Sequence, residues 1–163
     1  MSDPISEARR QWIAHGWADA ADGMALVTSV VRVHQLLMER IDAVLRPLDL
    51  SFARYEVLQL LAFTRHGQLP MTKLGSLLQV HPTSVTSAVD RLERQGWVVR
   101  SRGEQDRRIV LAAITDAGRE VVARATAGLN GDVFGEPGVT GAQVGELTRH
   151  LTALRAAAGD PVG

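Results

Sequence analysis

Two short stretches of the chain carry side chains with chemistry to offer. The first is "HPTSVTSAVDRLERQGW", running from His81 to Trp97. Wound as an α-helix at about 100° per residue, it gathers Val85, Ala88, Val89 and Leu92 on one arc. Thr83, Ser84, Ser87, Arg91 and Arg94 fall on the opposite arc. Short hydroxyl side chains near a helix N-terminus let the backbone approach another surface closely. Arginines further along reach outward, where the guanidinium fork matches phosphate oxygens and guanine edges. The second stretch is "RGEQDRR", which brings Asp106, Arg107 and Arg108 together. An exposed basic tip of this kind suits the narrow minor groove, where the negative potential attracts arginine. A carboxylate at Asp106 looks out of place there, unless it holds a neighbouring guanidinium in a fixed pose. The same helix arc would also suit an ordinary solvated surface.

Charge locates the question. The chain has 163 residues, with 18 basic and 18 acidic side chains. Between Met71 and Val110, however, seven basic residues stand against four acidic ones, while the remainder holds 11 basic and 14 acidic. A local basic excess is where contact with a polyanion would be sought. Enzyme chemistry finds much less support. There is no cysteine, which removes thiolate catalysis, thiolate zinc sites and thiol redox sensing. No nucleophile elbow or phosphate-binding loop is present, and Gly141 and Gly145 do not make a dinucleotide fingerprint. His15, His34, His66, His81 and His150 are scattered without a pair at i, i+4, so neither a metal nor a cofactor is expected. No apolar run approaches the roughly 18 residues of a membrane helix, and "MSDPISEARRQW" lacks a signal-peptide core. A cytoplasmic location is the expectation.

The elements that must position these residues read mostly as helices. Residues 5–18 form a short helix with Ile5, Ala8, Trp12 and Ile13 on one side. A longer helix follows from Asp22 to Leu45, where Leu26, Val30, Val33, Leu37, Ile41 and Leu45 recur every three or four residues. Ser51 starts the next helix, with Tyr55, Leu58, Leu61 and Ala62 inward, and "HGQLP" breaks it. Thr72 would cap a short helix carrying Leu74, Leu77 and Leu78. After a tight connection, Pro82 occupies the first turn of the next helix, which stops at Gly96. "WVVRSR" and "RRIVLAAI" flank "GEQD" as a β-hairpin. Thr115 caps a helix over 116–129, and "NGDVFGEPGV" reads as a turn-rich loop. "TGAQ" at 140–143 is a capping box for a last helix ending near Ala157, with a stripe at Val144, Leu147, Leu151 and Leu154. From spacing alone that stripe serves equally as intrachain core or as an interface. A short helix, a turn and a second helix with a readable face is the helix-turn-helix layout, and the hairpin adds a wing.

Over Val80 to Glu120, "VHPTSVTSAVDRLERQGWVVRSRGEQDRRIVLAAITDAGRE" resembles the MarR family of bacterial winged helix-turn-helix regulators. The likeness covers about residues 22 to 158 and rests on the recognition helix, on the wing residues Asp106, Arg107 and Arg108, and on Ile114, Thr115 and Gly118 after it. It implies a mainly α fold with a small β-hairpin wing and a helical dimerisation region built from both ends of the chain. The expected division is an N-terminal extension (1–21), a linking and dimerising helix (22–50), the winged helix-turn-helix (51–114) and C-terminal dimerisation helices (115–163). The resemblance further implies a homodimer on a pseudo-palindromic DNA operator, acting in the usual case as a repressor. It assigns the last stripe to the dimer interface. Pro82, Thr83, Ser84, Ser87 and Arg91 would contact the major groove, and Arg108 the minor groove.

Family members are commonly released from DNA by small aromatic or acidic molecules. Trp12, Arg32, His34 and Arg54 are the candidate ligand residues, although each also suits a surface or helix-pairing role. The sequence departs from the family pattern at Gln79, at His81 and Pro82, at Ser87, where many relatives carry a longer side chain, and in the extension that holds Trp12 and Trp17. The alternatives are a winged-helix module that binds only protein and, weakest, a small enzyme.

Overall fold

The computed structural model describes residues 3–78, 82–104 and 106–162. Its elements are α1 (Pro4–Ala14), α2 (Ala18–Leu45), α3 (Phe52–Phe63), β1 (Gln68–Pro70), α4 (Met71–Leu78), α5 (Pro82–Arg94), β2 (Val98–Arg102), β3 (Val110–Ile114), α6 (Asp116–Leu129) and α7 (Gly141–Ala157). Gln79 and His81, where the sequence departs from the family pattern, lie outside the described residues, as does the side chain of Pro82.

The first helix is shorter than its periodicity predicts. Asp3 caps it by accepting the Ile5 and Ser6 amides. It ends at Ala14, and Gly16 turns the chain at φ 86°, a region that costs glycine little. The second helix therefore begins at Ala18, four residues earlier than expected. The turn lays α1 back along α2, where Arg9 Nε meets Asp22 Oδ1 at 2.6 Å. Trp12 and Trp17 pack edge to face with ring centres 5.4 Å apart.

The core lies where α3, α4, α5, α6 and the C-terminal end of α2 close over the sheet. Leu45, Leu58, Leu61, Leu74, Leu92 and Leu129 are fully buried in it. Ser51 and Thr115 cap α3 and α6 as their positions predict, accepting the amides of Arg54 and Gly118. Gly118 is required for a second reason. A Cβ there would overlap the Trp97 carbonyl oxygen and press on Ile114 at 2.8 Å. The first turn of α6 thus seats directly against the strand leading into the wing.

Four local expectations need correction. "GQLP" contains a strand, β1, which pairs antiparallel with β3 and gives the sheet order β1-β3-β2. Three residues ending in proline are too short to show an alternation, and their pairing with residues 111–113 is non-local. Thr72 lies inside α4 rather than capping it, and Leu77 is exposed. Asn130 and Gly131 do not open a loop, because α6 runs on as a π-helical turn, Asn130–Phe134, with Val133 buried. The long stripe on α2 is largely solvent-facing, since only Ile41 and Leu45 of the six expected positions are buried. By contrast, Thr140 and Gln143 form the capping box of α7 in both directions. That helix contains no buried residue at all, and Val144, Leu147, Leu151 and Leu154 stand exposed.

Candidate nucleic-acid interface

Helix α5 is seated by its apolar arc. Val85, Val89 and Leu92 are buried and Ala88 is half-buried, against α3, α4 and β2. Thr83, Ser84, Ser87, Arg91 and Arg94 are exposed on the other side, as the 100° periodicity requires. The acids of α5 are engaged elsewhere. Arg100 on β2 reaches Asp90 Oδ1 at 2.8 Å and Glu93 Oε2 at 2.7 Å. The Arg100 backbone amide also donates to Glu93 Oε1 at 3.1 Å. The hydrogen bonds from Arg100 hold the Glu93 carboxyl below its ordinary range. One arginine thereby fastens the wing to the helix and offsets half of the negative charge of the two carboxylates, which would otherwise repel an anion. Nothing in the spacing of Asp90, Glu93 and Arg100 singled this tie out, because it joins a helix to a strand across a turn.

The N-terminus of α3 borders the same face. Ser51, Ala53 and Arg54 line an open groove with Thr83, Ser84, Ser87, Arg91 and Arg94. Arg54 Nη1 donates to the Asp49 carbonyl at 2.7 Å and to Gln95 Oε1 at 2.8 Å. Gln95 Nε2 in turn donates to the Asp49 carbonyl at 2.9 Å and to Asp49 Oδ2 at 2.8 Å. Arg91 Nη2 closes the knot on Asp49 Oδ2 at 3.3 Å. Burial pushes the Arg54 guanidinium down from its ordinary value, with Asp49 acting against the shift. Asp49 and Gln95 were not anticipated as part of the site. They are 46 positions apart, and only the tertiary fold brings them together.

At the wing, Asp106 acts differently from the sequence expectation. Its carboxylate accepts the backbone amide of Arg108 at 2.9 Å rather than holding a guanidinium. The Ile109 amide donates to the Asp106 carbonyl at 3.1 Å, and the Gly103 amide to the Ile109 carbonyl at 2.9 Å. Arg102 Nη1 donates to the Arg107 carbonyl at 3.0 Å. Asp106 is therefore a turn-former. Among the described residues, the guanidinium groups of Arg107 and Arg108 have no hydrogen-bond or ion-pair partner. Two exposed cations on a braced turn can engage an anion without first breaking a pair.

The four candidate ligand residues do not meet within one chain. Trp12 packs against Trp17 beside the start of α2. Arg32 and His34 are exposed partway along α2, with Arg32 donating to Gln35 at 3.2 Å. Arg54 belongs to the knot beside α5. The 28 residues of α2 span roughly 40 Å at about 1.5 Å per residue, and Trp12 and Arg54 sit near its two ends. A crevice of about 510 Å³ does exist elsewhere, lined by Leu37, Ile41, Val133, Phe134, Val139 and Val144 among others. Arg40 braces the neighbouring segment by donating to the carbonyls of Asp132 at 2.5 Å and Glu136 at 2.6 Å. Among the described residues, no helix is long and apolar enough to cross a membrane.

Comparison with known proteins places these features in company. The family model described as MarR family matches residues 50–110. Sco5413, a MarR family transcriptional regulator from Streptomyces coelicolor, is 47% identical with a TM-score of 0.76, over 85% of this chain and 96% of that one. Sco3205 from the same organism, a MarR family transcriptional regulator solved in complex with DNA, is 26% identical with a TM-score of 0.74, over 84% of this chain and 88% of that one. The transcriptional regulator PecS of Dickeya dadantii is 28% identical over 74% of this chain and 73% of its own length. Three uncharacterised HTH-type transcriptional regulators of Bacillus subtilis align at 32% to 34% identity, and the chain spans about half the length of each.

Proposed function

The chain belongs to the MarR family of transcriptional regulators, and from that premise we propose that it is a homodimeric, sequence-specific DNA-binding repressor rather than an enzyme. One observation carries the reading. The acids of α5 are tied up by Arg100, which leaves an outward arc of Thr83, Ser84, Ser87, Arg91 and Arg94 that is polar and basic. Such an arc enters the major groove N-terminus first, with the hydroxyls close to the bases and the positive end of the helix dipole toward phosphate. Pro82 starts the helix. Arg107 and Arg108 on the turn formed by Asp106 then reach the minor groove or its phosphates.

The dimer follows from what the monomer leaves uncovered. Leu26, Val30, Val33 and Leu37 on α2, and the stripe on α7, are exposed. A soluble chain rarely presents that much contiguous apolar surface to water. Covering it with a second copy sets two reading heads on a two-fold axis, matching half-sites about one helical turn apart. In this division residues 51–114 read DNA, while residues 22–50 and 115–163 dimerise and residues 1–21 extend the dimerising helices. A small-molecule effector, of the aromatic-acid kind, would act through the crevice between α2, the 133–139 segment and α7, because the same elements set the separation of the heads. The expected location is the cytoplasm, with DNA as the partner.

The test is a binding titration against a duplex selected from a random pool, repeated across salt concentrations. A log–log slope of several units, reduced by about one in Arg108→Ala with dimer and melting unchanged, supports the reading. No selective enrichment of any duplex, or unchanged affinity in Arg108→Ala, refutes it. Enrichment failing while a protein partner is retained would favour the protein-interaction alternative.

A further inference from the structure

Asp49 is the single non-glycine residue with positive φ among the described residues, at φ 52° and ψ 36°. Glycine would occupy that turn without cost, and asparagine nearly so. The backbone therefore does not call for a carboxylate. The carboxylate is also about two-thirds exposed, so its ion pair with Arg91 adds little to stability. What it does is sit at the edge of the reading face. Its Oδ2 accepts from both Gln95 Nε2 and Arg91 Nη2, while its carbonyl anchors Arg54 and Gln95. A fixed negative charge thus stands between Arg54 and Arg91.

We propose that Asp49 is a specificity-determining residue of the DNA-reading face, which holds Arg91 in one pose and competes with DNA phosphates for it. The inference rests on the DNA-binding reading above. Non-operator DNA places no base-edge acceptor in register with the held Arg91, so contact falls back on phosphate oxygens, and approaching them brings the Asp49 carboxylate against the same backbone. A cognate site offers an acceptor placed for the held guanidinium, so the pair is exchanged for a better partner. Discrimination is the difference between the two affinities, and a repulsive element aimed at the wrong partner enlarges it.

The experiment uses the full chain with Asp49→Asn, Asp49→Gly, Arg91→Ala and Asp49→Asn/Arg91→Ala. Both Asp49 replacements accept the backbone conformation, so either one keeps the test open if the other melts early. Anisotropy titrations use a duplex selected with the wild-type chain and a scrambled duplex of equal composition. Releasing one cation is expected to tighten binding to the scrambled duplex about fivefold, with the selected-to-scrambled affinity ratio falling by a similar factor. The salt slope on the scrambled duplex should steepen by about one. In the Arg91→Ala background the gain should shrink to what the direct repulsion between the Asp49 carboxylate and the phosphates supplies. Equal changes on both duplexes, or a gain as large without Arg91 as with it, overturns the inference while leaving the DNA reading intact. A wild-type chain that selects no duplex overturns both.

Discussion

Truncating two leucines on α7 should dismantle the dimer without touching the fold. Val144, Leu147, Leu151 and Leu154 are 38%, 49%, 47% and 46% exposed in the isolated chain. Fully burying a leucine contributes roughly 1.5–3 kcal/mol, so covering the exposed half of one contributes about 1 kcal/mol. A two-fold interface counts each position twice. Leu147→Ala together with Leu151→Ala therefore removes four such contributions, about 4 kcal/mol. At about 1.4 kcal/mol per tenfold, the dimer dissociation constant should rise roughly a thousandfold. Sedimentation velocity over a dilution series from micromolar to nanomolar reads this directly. The helical circular dichroism and the melting of the winged helix should persist, because α7 contributes no buried residue to the core. A wild-type chain that sediments as a monomer at micromolar concentration would falsify the reasoning. So would a double variant whose dissociation constant stays within about threefold of wild type.

Three further outcomes follow from particular contacts. Gly118→Ala forces a Cβ into the Trp97 carbonyl, and the overpacking should cost about 1–3 kcal/mol, seen as a melting temperature several degrees lower. Glu93→Gln should loosen the wing at neutral pH. The lowered carboxyl pKa means its stabilisation, below about 1 kcal/mol for so exposed a pair, is present above the ordinary glutamate value of 4.5 and is lost as pH falls through the depressed value. The melting difference between Glu93→Gln and wild type should therefore shrink in acid; a difference that grows there argues against the assignment. Arg40→Met removes the donor to the carbonyls of Asp132 and Glu136, so amide exchange in the segment between α6 and α7 should accelerate while α3 and α5 keep their protection.

The winged-helix region was the most legible part of the chain, and the reasons are local. In α5, apolar positions recur at helical spacing, a proline opens the first turn and a glycine follows the last, and each of these signals acts within a few residues. The same holds for the caps at Ser51, Thr115 and Thr140. The missed features are those without local cause. Strand β1 exists because β3 offers it an edge. The π-helical turn at Asn130–Phe134 overrides a turn-favouring Asn-Gly because Val133 gains burial. Within one chain, the length of α2 separates Trp12 from Arg54, with Arg32 and His34 between them.

What the sequence determined by itself was therefore helix α5: its start, its length, which side faces the core and which side faces outward. Periodicity and capping settle these before any long-range contact forms. The tertiary structure decided how the charges on that helix are disposed. Arg100 takes up Asp90 and Glu93 from a neighbouring strand. Asp49 meets Arg91 and Gln95, and Gln95 meets Arg54, each across more than forty residues of chain. Charge pairing depends on separation in space, and separation in space between distant segments is set only when the core closes.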